Sequence, residues 1–497
     1  MRLITSIALS LVLAPAVCLA QTSAAADIDA VRKDARAHIG PFYLTPSILL
    51  KELGVDSNVF NAAGEQVSDF TVSVGPKLDV WVPMARRALV QATAATDLVW
   101  YAKYDTERSI DPQVGLRTQI FLNRITLFGE GQIVNTRQRM NYEVDVRARQ
   151  LRTDAAAGVD LRLTPKFSVE GSVRRGDTEF DADATFDGTS LQRTLNQKTT
   201  GFRTVARHKL TPLTTVALRY ERQEDEFEFS PVRDSKSFRV MPGVEFKPRA
   251  LIKGTAYVGY RRFTPSSEGT IPDFSGVVAD LGLSYTLLGS TTFGVSYARD
   301  LTYSYEEARP FFINDSLGAS LRRALGRRFD VLVSADRHVY TYQDLLAPQP
   351  LQTVLERRRD ITFNYAGSVG YRIGKGRVGF GVSYSRDLTY SYEEARPFFV
   401  NTSVGLSVRR ALGRRFDVLT SADRHVYAYE DLLGVDVTAP ALDPRVDTTW
   451  NYAGSLGYRI GKGRVGFGVT YWQRDSNART FRDYDNLRFG TTVTYGF

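Results

Sequence analysis

The sequence predicts an all-β protein, a transmembrane antiparallel β-barrel of about 20–22 strands with short periplasmic turns and longer extracellular loops. Segments of alternating polarity follow one another along almost the whole chain. Short and long connections alternate between them, and the last segment ends in an aromatic residue. Together these observations are typical of a barrel in the bacterial outer membrane.

The clearest internal feature is a tandem repeat of 87 residues, which occupies residues 293–379 and, without a gap, residues 380–466. Of the 54 residues from Phe293 to Leu346, 45 recur at the matching position of the second copy. This period is longer than that of the common solenoid repeats, so one copy must contain several structural elements.

Each copy reads as four β-strands joined alternately by short basic turns and longer segments such as SYEEARPF, residues 304–311 and 391–398. The clearest strand is Val378–Ser385, because side chains alternate between its two faces. The face predicted to contact lipid carries Val378, Phe380, Val382 and Tyr384. The face predicted to border the lumen carries Gly379, Gly381 and Ser383. Further strands are predicted at Ile361–Ile373, near Val400–Ala411 and near Phe416–Glu430.

A soluble β-sandwich would also have strands of alternating polarity. The predicted strands, however, are about 11–14 residues long, which suits a tilted membrane crossing of about 9–11 residues. Four strands per copy also keep every later strand in the same direction, so the barrel can still close. These features favour the membrane barrel.

The N-terminus is predicted to be a signal peptide, residues 1–20, with Arg2 before the mostly apolar segment Leu3–Leu13 and small residues near the cleavage site. A lipoprotein signal would use Cys18, but Val17 stands where a small residue is expected. Cys18 is the only cysteine, so the mature chain is expected to have no disulfide and no thiolate metal site. Residues 21–41 are predicted to form a short periplasmic segment, and residues 42–497 the barrel.

The C-terminal segment NLRFGTTVTYGF alternates apolar and small residues up to its last position. Tyr495 and Phe497 are predicted to act as the signal read by the barrel-assembly machinery. The expected partners are therefore this machinery and outer-membrane lipid. Nucleic acid is not an expected partner, although the sequence pI is about 9.4, because the chain is targeted to the outer membrane.

Two segments, TPSILLKELGVDSNVF at Thr45–Phe60 and VSVGPKLDVWVP at Val72–Pro83, resemble the putative β-barrel porin 2 family. The resemblance implies an outer-membrane barrel, often associated with exopolysaccharide or capsule systems, so polysaccharide-export components are further expected partners. The family offers no catalytic motif. The tandem copy is not expected of the family.

Asp336-x-His338 and its copy Asp423-x-His425 are the candidates for an enzymatic role, since some outer-membrane proteases pair aspartate with histidine. Side chains two residues apart on a strand point the same way and do not reach a shared substrate. The sequence has no phosphate loop, zinc-ligand spacing or nucleophile elbow. It therefore predicts no enzyme, no catalytic residue, no metal site and no cofactor.

The predicted lumen face carries repeated arginines, which would favour anions in a pore. The alternative is that these arginines fill a polar lumen and pair with Asp330, Asp336, Asp417 and Asp423. The candidate pore-lining residues are Arg322, Arg372, Arg409, Arg459, Asp336, His338, Asp423 and His425.

Two functions remain open at this point. The first is a pore, either porin-like or an export conduit for a polysaccharide, including an anionic one. The second is a structural or surface-binding barrel that acts through its extracellular loops. No predicted loop is longer than about 20 residues, which favours the pore.

Overall fold

The computed structural model describes residues 35, 37–57, 59, 67–85, 87–139, 147–186, 189–248, 250–267, 269, 271–303, 311–326, 328–346, 359–373, 376–393, 396–413, 415–430, 445–460, 463–477 and 483–495. The predicted signal peptide lies outside the described residues, as do Phe497 and most of the segment 21–41. Among the described residues, no helix has the length and apolar character that a membrane crossing requires.

One antiparallel sheet dominates the structure, and 22 of its strands form a closed barrel. Each barrel strand pairs with the strand that follows it in the chain. The strands are β1 Phe42–Asp56, β2 Asp69–Met84, β3 Ala88–Tyr101, β4 Ser109–Leu122, β5 Ile125–Arg139, β6 Arg147–Arg162, β7 Phe167–Phe180, β8 Gln197–Lys209, β9 Thr214–Phe227, β10 Ser235–Phe246, β11 Ile252–Pro265, β12 Phe274–Leu287, β13 Thr291–Tyr303, β14 Phe311–Leu325, β15 Phe329–Gln343, β16 Arg359–Ile373, β17 Gly376–Glu393, β18 Arg396–Leu412, β19 Phe416–Glu430, β20 Val446–Ile460, β21 Gly463–Ser476 and β22 Tyr484–Tyr495.

Few regular elements lie outside the barrel. The three-residue strand Ala37–Ile39 pairs with the beginning of β1. Between β7 and β8, a two-stranded ribbon pairs Thr185–Phe186 with Thr189–Ser190 and is followed by the helix Leu191–Leu195.

The barrel closes where β1 pairs with β22. Ile48 lies opposite Tyr495, and Asp56 lies opposite Arg488, with a register shift between these two ends of the seam. Asp56 is 1% exposed; its carboxylate accepts a hydrogen bond of 2.8 Å from Asn486 Nδ2 and forms an ion pair with Arg488. A buried charge pair therefore joins the first and last strands.

With exceptions such as Leu332, the exposed large apolar side chains lie on one face of the strands, as an outward apolar band requires. In β17, Phe380 and Val382 are 53% and 54% exposed. Val382 lies opposite Gly367 in β16 and Leu406 in β18, so the same face continues into both neighbours. Side chains at the intervening positions face the lumen.

The predicted fold class is confirmed, and the strand number falls at the upper end of the predicted range. One predicted connection is wrong in the second copy of the repeat. Residues 391–398 were expected to form a longer loop, but β17 continues to Glu393 and β18 begins at Arg396, directly opposite it. The reason is that pairing between the two strands extends beyond the predicted strand ends, which lengthens the hairpin.

Both copies of the repeat adopt the same strand pairing. Gly318 of β14 lies opposite Asp336 of β15, and the matching Gly405 of β18 lies opposite Asp423 of β19. One copy runs from the beginning of β13 to the beginning of β17, and the next runs from there to the beginning of β21. Each copy thus contributes four strands to the wall.

The assignment of faces predicts opposite effects for two neighbouring arginine substitutions. Val382→Arg places a charge on the lipid face and should lower the free energy of unfolding by about 2–4 kcal/mol if the position is near mid-membrane. Ser383→Arg points into the lumen and should change it little. Urea unfolding in detergent or lipid vesicles measures both; equal losses would contradict the assignment.

Removal of residues 380–466 should leave a barrel that still closes. The deletion joins Gly379 to Phe467, so β16 would pair with a strand of the same GRVGFGV sequence, and strand direction is unchanged. Barrel diameter grows roughly linearly with strand number. The shortened protein should remain heat-modifiable and show a lower single-channel conductance in planar bilayers; unchanged conductance would mean that these strands do not border the pore.

Candidate functional site

Two parts of the barrel's inner surface differ in chemistry. The first, which we call the small-residue wall, spans β12 to β22, where glycine, alanine, serine and threonine lie opposite one another from strand to strand. Its residues are Ser284, Gly294, Ser320, Ser334, Ala366, Ser368, Gly379, Gly381, Ser383, Ser407, Ser421, Ala453, Ser455, Gly468, Thr470 and Gly490.

The short side chains of this wall project little into the lumen. An open depression of about 380 Å³ lies at its beginning, bordered by Gly282, Ser296, Gly318 and Ser334, with Lys253 at its side. Serine and threonine hydroxyls can donate and accept hydrogen bonds without carrying charge. This surface can therefore stay hydrated and exchange hydrogen bonds with a polar solute.

The second wall, which we call the charged wall, lies on β7 to β13 and consists of crossed ion pairs. Its residues are Glu170, Arg203, Arg207, Arg219, Glu221, Arg239, Glu245, Arg261, Asp280 and Asp300. Arg207 by itself links three strands, because its Nη1 lies 2.7 Å from Glu170 Oε2 and its Nε lies 3.3 Å from Glu245 Oε1.

Beneath these ions the charged wall has an apolar layer on its lumen face. Val205, Ala217, Met241, Tyr257 and Val278 form a buried cluster there. The guanidinium of Arg219 lies 3.9 Å from the centre of the Tyr257 ring, and the Tyr257 hydroxyl donates to Glu245. The charged side chains are thus held in fixed positions and compensate one another.

The predicted pore-lining arginines lie toward the periplasmic end. Arg322 is exposed and lies opposite Thr292 and Leu332. Arg409 lies opposite Gly379 and Leu419. Arg372 lies opposite Arg377, and its side chain is outside the described part of the chain.

The strongest ion pair at this end was missed by the sequence prediction. Asp417 pairs with Arg464 at 2.5 Å, and both side chains are at least 94% buried. Arg459, one of the arginines that the alternative interpretation pairs with these aspartates, lies 3.9 Å from Asp417 through Nε, and its side chain is 55% exposed. Arg464 reaches Asp417 across β20 because Gly457 stands between them, where a Cβ atom would overlap the guanidinium.

The predicted Asp–His pairs lie farther along β15 and β19, toward the extracellular side. The Asp336 carboxylate lies over Gly318, and the Asp423 carboxylate lies over Gly405. Each carboxylate is so close to its glycine that a Cβ atom there would overlap it. Neither Asp336 nor Asp423 forms an ion pair with a described residue. The expected pairing of these two aspartates with arginine is therefore wrong within the described part of the chain.

A second cluster that the sequence did not reveal lies at the extracellular end. Arg445 and Asp447 are 1% and 0% exposed and pair at 2.6 Å, and Arg474 also lies 2.6 Å from Asp447. The Arg445 guanidinium stacks 3.7 Å from the Tyr429 ring centre. Arg445 and Asp447 are two residues apart, but Tyr429 and Arg474 lie on the neighbouring strands β19 and β21, and strand register brings them to this pair.

Of the two residues predicted as the assembly signal, only Tyr495 is described. It is the last residue of β22 and lies opposite Ile48 and Gly463. Phe497 is outside the described residues, so its role stays a prediction.

The closed barrel, its outward apolar band and its polar lumen define an outer-membrane β-barrel of the porin type. Residues 36–411 match the model of the family described as putative beta-barrel porin 2. The match covers well over half of the chain, which therefore belongs to this family, as the resemblance implied. No curated protein matches the chain.

Solved structures with a similar fold are outer-membrane receptor and transporter barrels. The siderophore receptor PirA from Acinetobacter baumannii has 10% sequence identity and a TM-score of 0.59, with 93% of this chain and 81% of that chain covered. A mutant of the ferric enterobactin receptor PfeA from Pseudomonas aeruginosa has 10% identity, a TM-score of 0.58 and the same coverage. The FrpB iron transporter from Neisseria meningitidis has 10% identity, a TM-score of 0.57 and coverage of 94% and 83%. At this identity, the likeness shows the fold alone.

The buried pair at the periplasmic end should matter for stability. Asp417→Ala leaves the Arg464 charge buried without its partner, which should cost about 3–5 kcal/mol of unfolding free energy. Asp336→Ala removes a carboxylate that has no ion pair among the described residues and is the matched control, with a much smaller effect. Urea unfolding of both variants tests the difference; similar losses would show that the Asp417 pair is not the cause.

Proposed function

We propose that this barrel is an export conduit for a polysaccharide chain. The observation that carries the proposal is the small-residue wall, in which short side chains lie opposite one another on the lumen face from β12 to β22. A hydroxyl-rich polymer can exchange hydrogen bonds along such a surface with little steric obstruction.

The tandem repeat supports this role because both copies contribute to the small-residue wall. Barrel diameter grows with strand number, so a second copy widens the lumen on the side that has short side chains. Of the charged wall, only Asp300 lies within the repeat, in its first copy. A conduit for a bulky polymer would gain from such one-sided widening.

Charge supports a polymer that includes acidic sugars. The periplasmic end carries exposed cationic residues, among them Arg322, Arg328, Arg415 and Arg459. Such a ring attracts anions to the mouth of a pore. Within the lumen, the arginines of the charged wall are paired with carboxylates, so they would not hold an anionic chain tightly.

The proposed role involves no catalysis. The Asp336–His338 and Asp423–His425 pairs are part of the wall, and no group of three His, Cys, Asp or Glu side chains suited to a metal ion occurs in the described residues. The alternative is a structural or surface-binding barrel. Such a barrel needs no open pathway, so the following experiment distinguishes it from a conduit.

Three cysteine variants can show whether the small-residue wall borders the conducting path. Gly379→Cys and Gly490→Cys place the thiol in the lumen, and Gly367→Cys places it on the lipid face; a Cβ atom meets nothing within 4 Å at any of these positions. The predicted mature chain has no other cysteine. A bulky hydrophilic thiol reagent should lower single-channel current in the lumen variants and leave the Gly367→Cys control unchanged.

The same bilayers test the cargo class. Dextran and polygalacturonate added on the periplasmic side should each cause transient blocks, with polygalacturonate blocking more often at low salt because of the basic mouth. A protein that conducts ions but is blocked by neither polymer would refute polysaccharide passage. A correctly folded protein without conductance would favour the structural or surface-binding alternative.

A further inference from the structure

The two copies of the repeat place the same six polar residues on the lumen face of three adjacent strands. The first cluster lies on β14, β15 and β16, and the second lies on β18, β19 and β20. Their members are, in order, Asn314, Ser316, Asp336, His338, Thr362 and Asn364, and Asn401, Ser403, Asp423, His425, Thr449 and Asn451.

Both clusters hold buried polar atoms that have no hydrogen-bond partner in the part of the chain that the structure describes. In the first cluster these atoms are Asn314 Oδ1, His338 Nδ1 and Thr362 Oγ1, and the second repeats them at Asn401, His425 and Thr449. Thr362 and Thr449 are 1% and 7% exposed. Buried polar groups are nearly always paired, so the same unpaired atoms in two places point to a partner that arrives from the lumen.

Neighbouring side chains fix the geometry of each cluster. The imidazole of His338 stacks on Tyr340 with ring centres 6.1 Å apart, and that of His425 stacks on Tyr427 at 6.0 Å. His338 lies directly opposite Thr362 on the next strand. The nearby carboxylate is seated over a glycine in both copies, as described above, so the polar atoms are held before any ligand binds.

The chemistry of the free atoms selects the ligand. An amide oxygen and a carboxylate accept hydrogen bonds, and a hydroxyl and an imidazole nitrogen can each donate or accept one. Such a set complements a ligand with several hydroxyl donors. The unpaired carboxylate disfavours an anionic group at the same place.

We propose that the two clusters are equivalent subsites, each of which binds an uncharged sugar unit of a glycan chain in the lumen. This inference rests on the proposed function and adds where, and through which atoms, the wall holds its cargo. The acidic sugars that the periplasmic mouth attracts would pass between the subsites.

A row of hydroxyl groups connects the two subsites. Asn364 lies opposite Ser385, the Ser385 and Ser403 hydroxyl oxygens are 2.5 Å apart, and Ser403 lies opposite His425. The subsites are four strands apart, which is about 19 Å along the sheet. One glycan chain can therefore occupy both, and the second contact would lengthen its stay without any tighter single site.

Threonine-to-valine variants test the subsites with little change in shape. Thr362→Val and Thr449→Val each remove a buried hydroxyl that has no hydrogen-bond partner among the described residues, so neither should lower stability in urea unfolding. Thr448→Val, which changes the residue next to Thr449 on the outward face of β20, is the matched control. The readout is the duration of single-channel blocks caused by maltohexaose, a neutral oligosaccharide.

Each cluster variant should shorten the blocks by about threefold to tenfold, as expected for one lost hydrogen bond, and the double variant should shorten them further. Open-channel conductance, and the block durations of the Thr448→Val control, should stay as in the unmodified protein. Equal block durations in the double variant, or no maltohexaose block of an unmodified protein that still passes dextran, would overturn the subsites and leave the conduit intact. Absence of conductance would instead refute the proposed function itself.

Discussion

Backbone hydrogen bonding in the bilayer is the constraint on which the whole structure depends. Lipid offers no partner for an unpaired N–H or C=O group, so a sheet can cross the membrane only when its first and last edges meet. Here β1 and β22 meet, and the buried Asp56–Arg488 pair lies on that seam. Because closure needs antiparallel neighbours, the chain can grow only by an even number of strands, and a four-strand repeat meets this condition.

The features that follow from period-two alternation were predictable from the sequence. The strand Phe416–Glu430 was predicted with the bounds that the structure gives, and the alternation of β17 predicted the outward side chains of Phe380 and Val382. Contacts that skip a strand were not predictable. Arg464 reaches Asp417 only because an intervening position is glycine, and the charged wall requires the register of seven strands. The sequence therefore identified candidate residues but not most of their partners.

The two walls divide mechanical and transport roles between them. On the charged wall, arginines bridge strands that are two or more positions apart and cover an apolar layer, which holds that side of the barrel in shape. The small-residue wall has few cross-links of this kind and leaves space instead. Duplication within the small-residue wall enlarges the lumen without disturbing the ionic network of the charged wall. This explains how a barrel can accept four more strands and keep its packing.

The near-identity of the two copies also affects how the chain finds its strand order. β16 must pair with β17, but β21 begins with the same sequence, GRVGFGV, and offers the same hydrogen-bonding edge. The local pairing energy therefore cannot distinguish the correct pairing of β16 with β17 from a pairing of β16 with β21, which would leave a whole copy out of the ring. Chain connectivity can, because only two residues separate β17 from β16 along the chain and a short loop costs less closure entropy than a long one. The correct ring thus depends on strands being added in the order in which they occur along the chain.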